Sequence, residues 1–164
     1  MKVSILMGSI SDKPIAEKVT KIFDKFGVDY EVRVISAHRT PYKAVEFAEN
    51  AEKNNTEVII AIAGKAAHLA GVLAGVTPLP VIGIPAKSST MDGLDSLLSV
   101  VQMPKGVPVA TVAIDGGENG GLLAVQMLSI KYTELREKFK EYKKEMAEET
   151  EKIDREVYDL TQRK

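Results

Sequence analysis

The 164-residue chain has no cysteine and no tryptophan. The lack of cysteine excludes disulfides, thiolate catalysis and cysteine-ligated metals, and it is compatible with a reducing cytoplasm. Basic residues number 22 and acidic residues 23, so no excess positive charge favours nucleic acid or an anionic membrane as a partner. The first apolar run ends at Gly8 and is too short for a signal peptide or a membrane span. We therefore expect a cytoplasmic protein that binds neither nucleic acid nor membrane.

Short apolar runs alternate with helical patterns along the chain, which is typical of a repeated strand–helix unit. The predicted strands are Lys2–Met7, Tyr30–Ile35, Glu57–Ala63, Val81–Ile84 and Val109–Ile114. The third run is apolar on both faces, as a parallel sheet covered by helices requires. The pattern predicts a single domain of the α/β class, a three-layer α/β/α sandwich with a doubly wound, mainly parallel five-stranded sheet.

Residues 131–164 are rich in charge and contain neither glycine nor proline, which predicts a long C-terminal helix as an extension of the α/β body formed by residues 1–130. Its apolar positions, mostly three, four or seven apart, are Leu135, Phe139, Tyr142, Met146, Ile153 and Val157. The helix either folds back on its own domain or packs on neighbouring subunits of a homo-oligomer. Its length favours the second interpretation.

The segment Ser36–Pro41 follows the second predicted strand and places one of the two histidines, His38, at the strand's carboxyl end. Thr40 and Pro41 are typical of a helix start. In open α/β sheets ligands bind at this edge, and an imidazole that titrates near neutral pH can carry a proton there.

Two further loops follow strands at the same edge. Ser9, Ser11 and Asp12 precede a predicted helix, where they either cap the helix or bind a phosphate; on this loop alone capping is the more common role. The segment Gly64–Gly71 has small residues against which a flat heterocycle could lie, and it contains the second histidine, His68. A lone histidine at a helix start is usually structural, and two histidines without nearby carboxylates make a poor metal site.

Two later loops, residues 86–93 and 102–108, are expected to complete this edge, and the glycine-rich residues 115–121 open a further helix as a flexible turn and cap. The loop Gln102–Pro108 contains two further prolines and one glycine, so it is expected to form a rigid wall of the site.

Five motifs of this chain, taken together, closely resemble the purine-biosynthesis family that contains N5-carboxyaminoimidazole ribonucleotide mutase and aminoimidazole ribonucleotide carboxylase. They keep the family's order and spacing from about Lys2 to Ile130. The motifs are Met7-Gly8-Ser9-x-Ser11-Asp12, Ser36-Ala37-His38-Arg39-Thr40-Pro41, Ala66-Ala67-His68-Leu69, Gly93-x-Asp95-Ser96-Leu97 and Gln102-Met103-Pro104-x-Gly106-x-Pro108-Val109.

The resemblance implies an octamer that binds a ribonucleotide at the strand ends near subunit contacts and needs no metal, biotin, ATP or other cofactor. By match to the motifs, His38 is the proton-transfer residue and Asp12 binds the ribose hydroxyls. The implied phosphate ligands are Ser9, Ser11, Ser36 and Arg39. The remaining implied substrate-binding residues are Ala37, Gly64, Lys65, Ala66, His68 and Leu69. The reaction moves a carboxylate from the exocyclic nitrogen of the aminoimidazole to ring carbon C4, through release and recapture of carbon dioxide.

One motif departs from the pattern of the mutases, which usually carry glycine where this chain has Lys65 and proline where it has Ala70. Ala66, Ala67 and His68 favour the mutase, whereas a cation at Lys65 keeps direct carboxylation of aminoimidazole ribonucleotide open. A lysine that simply points to solvent is equally compatible with the sequence. The alternative from another class is a nucleotide- or flavin-binding module without catalysis. A titratable His38 beside the ligand argues against that module.

Overall fold

A computed structural model of the protein describes residues 1–162; Arg163 and Lys164, the end of the predicted extension 131–164, lie outside the described residues. Five strands alternate with six α-helices in this part of the chain. The strands are β1 (Lys2–Met7), β2 (Asp29–Val34), β3 (Val58–Gly64), β4 (Val81–Ala86) and β5 (Ala110–Thr111). The helices are α1 (Lys13–Phe26), α2 (Pro41–Asn50), α3 (Leu69–Ala74), α4 (Leu94–Val101), α5 (Gly117–Leu128) and α6 (Thr133–Gln162).

All neighbouring strands pair in parallel, in the order β2-β1-β3-β4-β5. This order is the flavodoxin-like form of a doubly wound sheet, and its strand order reverses between β1 and β3. The predicted α/β/α sandwich is therefore confirmed. Ligands in such sheets bind in the crevice beyond the carboxyl ends of the strands at that reversal.

Two separate apolar layers cover the sheet. On one face β1, β3 and β4 pack against α1, α5 and the start of α6, where Phe23, Phe26 and Leu135 are at most 2% exposed. On the other face the sheet packs against α2, α3 and α4, with Leu73 and Val100 buried. Strand β3 is buried on both faces because it lies in the middle of the sheet, as its continuous apolar run predicts.

The last strand is much shorter than the predicted Val109–Ile114. It pairs with β4 only through Ala110 and Thr111. The physical reason lies in β4, where the carbonyl of Pro85 accepts a hydrogen bond from the Asp115 amide. In a parallel sheet the N–H and C=O groups of one residue point to the same neighbouring strand. Because Pro85 has no N–H, β4 lacks the hydrogen-bond donor that a longer β5 would need.

The C-terminal helix α6 divides the predicted apolar stripe between two environments. Leu135 is fully buried, and Phe139 and Tyr142 pack against Phe26 with ring centroids 5.9 and 5.7 Å apart. The stripe beyond them is exposed, with Met146, Ile153 and Val157 at 46, 54 and 55%. The first part of the stripe thus folds back on its own domain. The second part has no cover within residues 1–162, and its packing on neighbouring subunits stays a prediction.

No helix within residues 1–162 is long and apolar enough to cross a membrane.

Candidate active site

A cleft of about 630 Å³ opens at the carboxyl ends of β1, β2, β3 and β4. All twelve residues predicted from the sequence line it: Ser9, Ser11, Asp12, Ser36, Ala37, His38, Arg39, Gly64, Lys65, Ala66, His68 and Leu69. The backbones of β1 and β3 meet at its floor, where the Gly8 amide donates to the Ile62 carbonyl at 2.9 Å. The size falls in the range typical of small-molecule sites, about 300–1,000 Å³.

The loop after β1 is organised by a reciprocal hydrogen-bond pair. The Ser9 amide donates to Asp12 Oδ2 at 3.1 Å, and Ser9 Oγ accepts from the Ser11 amide at 3.3 Å. This arrangement caps the short 3-10 helix that precedes α1. Because Ser9 Oγ acts there as an acceptor, its own O–H remains able to donate to a ligand. Capping and ligand binding are therefore compatible roles for this loop.

Asp12 is buried at 7% exposure under this loop. Burial raises the pKa of its carboxyl, while hydrogen bonds from the Ser9 amide and the Ser11 hydroxyl and the positive charge of Arg39 act in the opposite direction. The nearby negative charge of Asp115 adds to the increase. A buried carboxylate with few solvent contacts is a strong acceptor for ligand hydroxyls, provided that the ligand replaces its water.

The loop after β2 holds Arg39 across two strand ends. Its Nη2 donates to the Gly8 carbonyl at 2.7 Å and its Nε to Ser36 Oγ at 3.3 Å. The turn itself is fixed by Thr40, whose Oγ1 accepts from the Ser36 amide and donates to the Ser36 carbonyl. Two of the five N–H donors of the guanidinium are thus used for positioning. The remaining donors are available for an anion.

His38 and His68 meet across the cleft. His38 Nε2 lies 2.8 Å from His68 Nδ1, and the rings are nearly perpendicular at 81°. Such a bond needs a proton on one nitrogen and a lone pair on the other, so it forms only when at least one ring is neutral. His68 stands at the N-terminus of α3 but makes no helix cap. Its contact with His38 fits the structural role that the sequence favours for His68.

The loop after β4 contributes three lining residues that the predicted set omits: Lys87, Ser88 and Ser89. The Lys87 amide donates to Asp115 Oδ1 at 2.8 Å, and its Nζ lies 3.3 Å from Asp92 Oδ1. The sequence does place this loop at the correct edge, because it directly follows a strand. No motif within it indicates which residues face the cleft.

The expectation for the loop Gln102–Pro108 is wrong, because none of its residues lines the cleft. This loop joins α4 to β5. In a parallel sheet each helix returns the chain to the amino edge, so a loop that precedes a strand lies at the edge opposite the site. Its Met103 instead packs against α3: a side chain added at Gly71 would stand 2.8 Å from the methionine sulfur.

No group of three or more His, Asp or Glu side chains that could hold a metal ion occurs within residues 1–162.

This combination of sheet, loops and cleft agrees with the comparisons with known proteins. Residues 2–149 match the family described as AIR carboxylase. The chain belongs to the AIR carboxylase family. The N5-carboxyaminoimidazole ribonucleotide mutase of Pyrococcus abyssi (strain GE5 / Orsay) is 59% identical over 145 residues, covering 88% of this chain and 83% of the relative.

Two further relatives support the assignment. The enzyme of the same name from Thermotoga maritima is 56% identical over 148 residues, covering 90% of this chain and 86% of the relative. The crystal structure of Treponema denticola PurE matches with a TM-score of 0.86 at 31% identity, covering 93% of this chain and 96% of that chain. Family and fold are thus established together.

This member of the AIR carboxylase family has a lysine at an unusual backbone position. Lys65 has φ of +56°, in the left-handed region. Glycine, which the mutases resembled here usually carry at this place, adopts that conformation freely, whereas an L-residue pays about 1–2 kcal/mol. Ala70, the second departure, is buried at 1% exposure in the layer of α3.

Proposed function

We propose that this protein interconverts N5-carboxyaminoimidazole ribonucleotide and 4-carboxy-5-aminoimidazole ribonucleotide in de novo purine biosynthesis. The observation that carries the proposal is the position of His38 in one cleft with Ser9, Ser36 and Arg39, the donors suited to a phosphate. Relatives at 59 and 56% identity that are named as this mutase support the reaction.

The phosphate would bind between the loops after β1 and β2. Arg39 offers its unused guanidinium donors there, and Ser9, Ser11 and Ser36 offer hydroxyls. Asp12, in the same loop, would accept hydrogen bonds from the ribose hydroxyls. These contacts leave the aminoimidazole ring over the loop after β3, beside the two histidines.

His38 would carry one proton in each direction during the reaction. When the bond between the exocyclic nitrogen and the carboxyl carbon breaks, its electron pair stays on the nitrogen, which takes a proton from His38, and carbon dioxide is released. Carbon C4 then attacks the carbon dioxide, and the proton displaced from C4 returns to His38. The protonation state of the enzyme is the same before and after the cycle, as isomerisation requires.

The remaining lining would retain the carbon dioxide between these steps. Leu69 is 2% exposed, and together with Ala63, Gly64 and Ala66 it forms an apolar part of the cleft lining beside the histidines. These apolar groups themselves carry neither a nucleophile nor a charge, so recapture of carbon dioxide by C4 is favoured over its escape. His68 would hold the His38 ring over this region through their 2.8 Å contact.

The second candidate is direct carboxylation of 5-aminoimidazole ribonucleotide with carbon dioxide. The observation that favours it is Lys65, a positive charge on the lining of the cleft. A non-catalytic nucleotide- or flavin-binding module would not need an acid–base group such as His38 beside the ligand.

The decisive experiment compares the two substrates with the purified protein. N5-carboxyaminoimidazole ribonucleotide and 5-aminoimidazole ribonucleotide in bicarbonate-rich buffer are each converted to the 4-carboxy product, which is followed by its absorbance. We expect faster turnover of the first. Faster turnover of the second would establish the carboxylase, and turnover of neither would refute both enzymatic proposals. A colourless protein would speak against bound flavin.

We also propose a cytoplasmic homo-octamer in which residues 1–130 form the catalytic body and residues 131–164 a helical extension that packs on neighbouring subunits. The exposed apolar side chains beyond Tyr142 support this packing, because a large apolar stripe on a solvent-facing helix is typical of an interface. The lack of cysteine is compatible with the cytoplasm.

A further inference from the structure

We propose that Lys65 binds the substrate carboxylate and so distinguishes carboxylated from uncarboxylated ribonucleotides. This inference deepens the proposed function and rests on it.

The first argument is the backbone conformation of Lys65. Its φ of +56° lies in the region that glycine adopts without strain. A lysine held there on the lining of a ligand cleft is an unfavourable local choice for folding. Strained residues of this kind cluster at ligand-binding sites, and Lys65 lines the cleft.

The second argument is that the Lys65 ammonium makes no hydrogen bond or ion pair with any residue of the described range 1–162. The other two permanent cations of the cleft are engaged. Arg39 donates to the Gly8 carbonyl and to Ser36 Oγ. Lys87 forms an ion pair with Asp92 at 3.3 Å. Lys65 is therefore the cleft cation with its full set of donors available to a ligand.

The third argument is the separation of the charges along the sheet. Arg39 bridges the loops after β2 and β1, where the phosphate is proposed to bind. Lys65 belongs to the loop after β3, and Gly64, the residue before it, pairs with Ala86 of β4. Two positive charges on different loops fit two anionic groups at opposite ends of one ligand. In a carboxylated aminoimidazole ribonucleotide these groups are the phosphate and the carboxylate.

The ligand chemistry follows from the same geometry. The phosphate and ribose are common to carboxylated and uncarboxylated nucleotides, and both groups would contact the loops after β1 and β2, whereas Lys65 lies on the loop after β3. The carboxylate is the one anionic group that differs between them. A lysine that contacts it strengthens binding of the carboxylated nucleotides alone.

The test is equilibrium binding to a set of lysine variants. Isothermal titration calorimetry would measure the affinity of 4-carboxy-5-aminoimidazole ribonucleotide and of 5-aminoimidazole ribonucleotide for wild type, Lys65→Met, Lys65→Arg and the control Lys105→Met. Lys105 is exposed on the loop that precedes β5, away from the cleft. We expect Lys65→Met to weaken binding of the carboxylated nucleotide roughly tenfold and that of the uncarboxylated one less than about twofold. Lys65→Arg should restore discrimination, and Lys105→Met should resemble wild type.

Equally weakened binding of both nucleotides, or unchanged binding of both, would overturn the inference. Lys65 would then contribute only a nonspecific electrostatic attraction or nothing. Lys65→Gly separates charge from folding: it removes the side chain while suiting the backbone, so it should lose discrimination without a lower thermal unfolding midpoint. If wild type binds neither nucleotide, the proposed function itself fails. If wild type binds both and Lys65→Met discriminates as well as wild type does, only the role of Lys65 fails.

Discussion

Deletion of residues 146–164 is expected to weaken subunit association while leaving the fold of each subunit intact. The deletion removes an exposed apolar stripe, and no element of the sheet or its two covering layers. It retains Leu135, Phe139 and Tyr142, which pack on the domain, and the ion pair between Lys25 and Glu145 at 3.0 Å. The free energy of unfolding of the isolated subunit should therefore change by less than about 1 kcal/mol.

The size of the effect on association follows from the exposure of the stripe. The exposed apolar side chains that the deletion removes include Met146, Ile153 and Val157 of the stripe and, outside it, Leu160, which are 46, 54, 55 and 67% exposed in the single chain. Full burial of one such side chain contributes about 1.5–3 kcal/mol, so covering the exposed half of each contributes roughly 1 kcal/mol, about 4 kcal/mol per helix. At about 1.4 kcal/mol per decade, the deletion should raise the dissociation constant of the helix contact by roughly three orders of magnitude.

Sedimentation velocity over a concentration series, with turnover measured on the same samples, checks this prediction. We expect a smaller species and lower activity at concentrations where the full chain is assembled. A truncated protein that keeps both its wild-type assembly and its turnover would refute the reasoning, because the exposed stripe would then carry no contact. The control is Ile153→Asp in the full-length chain, which should reproduce the dissociation without shortening the helix.

A shorter chain that ends at Ile130 is not an equivalent test. It would also remove Leu135, which is fully buried, together with the aromatic contacts of Phe139 and Tyr142 with Phe26. Replacing one buried leucine by alanine alone costs about 2–5 kcal/mol, and total stability is about 5–15 kcal/mol. Truncation at Ile130 is therefore expected to unfold the subunit, so its loss of activity would say nothing about assembly.

Three further substitutions test individual side chains. His38→Asn should lower kcat at least about 100-fold in a steady-state assay with an unchanged circular dichroism spectrum, the usual effect of losing a general acid–base; near-normal turnover would exclude His38 as the proton carrier. Arg39→Ala should mainly raise KM, because a phosphate contact contributes equally to ground and transition states; an unchanged KM would contradict phosphate binding. Although burial raises the pKa of the Glu57 carboxyl, hydrogen bonds from Lys131 and Tyr132 hold that pKa below its ordinary value of 4.5. Glu57→Gln should therefore lower the free energy of unfolding by about 1 kcal/mol at pH 7. A carboxyl whose pKa is lower in the folded than in the unfolded state stabilises the fold at pH values above its unfolded-state pKa. The difference in free energy of unfolding between wild type and Glu57→Gln should therefore vanish as the pH falls below 4.5 in urea titrations. A difference that persists at pH 3 would contradict the ionic contribution.

Several features of the protein follow from local sequence patterns alone. The doubly wound sheet is predictable because alternation of short apolar runs with helical patterns leaves few arrangements that bury both faces of β3. The edge that carries the site is equally predictable, since a loop that directly follows a parallel strand always lies at the carboxyl edge. For this reason Ser9, His38 and Lys65 line one cleft although they are far apart in the chain.

Other features depended on the three-dimensional packing. The loop Gln102–Pro108 contains the same kinds of turn residues as the loops of the cleft, so its composition alone does not show that it lies outside the cleft. Strand β5 is short because Pro85 of the neighbouring strand β4 has no N–H to donate to it. The sequence alone does not show that these two segments are neighbours.

The sequence by itself determined the succession of strands and helices along the chain, the edge of the sheet that holds the cleft and twelve of the residues that line it, because these depend on local periodicity and chain direction. Only the tertiary structure decided the contact between His38 and His68 and the hydrogen bond from Arg39 to the Gly8 carbonyl. The same holds for the left-handed backbone of Lys65 and for the change from buried to exposed apolar side chains along α6 beyond Tyr142. Each of these depends on distances and backbone angles between segments distant in sequence. Such geometry is set by how the layers pack and not by the pattern within any one segment.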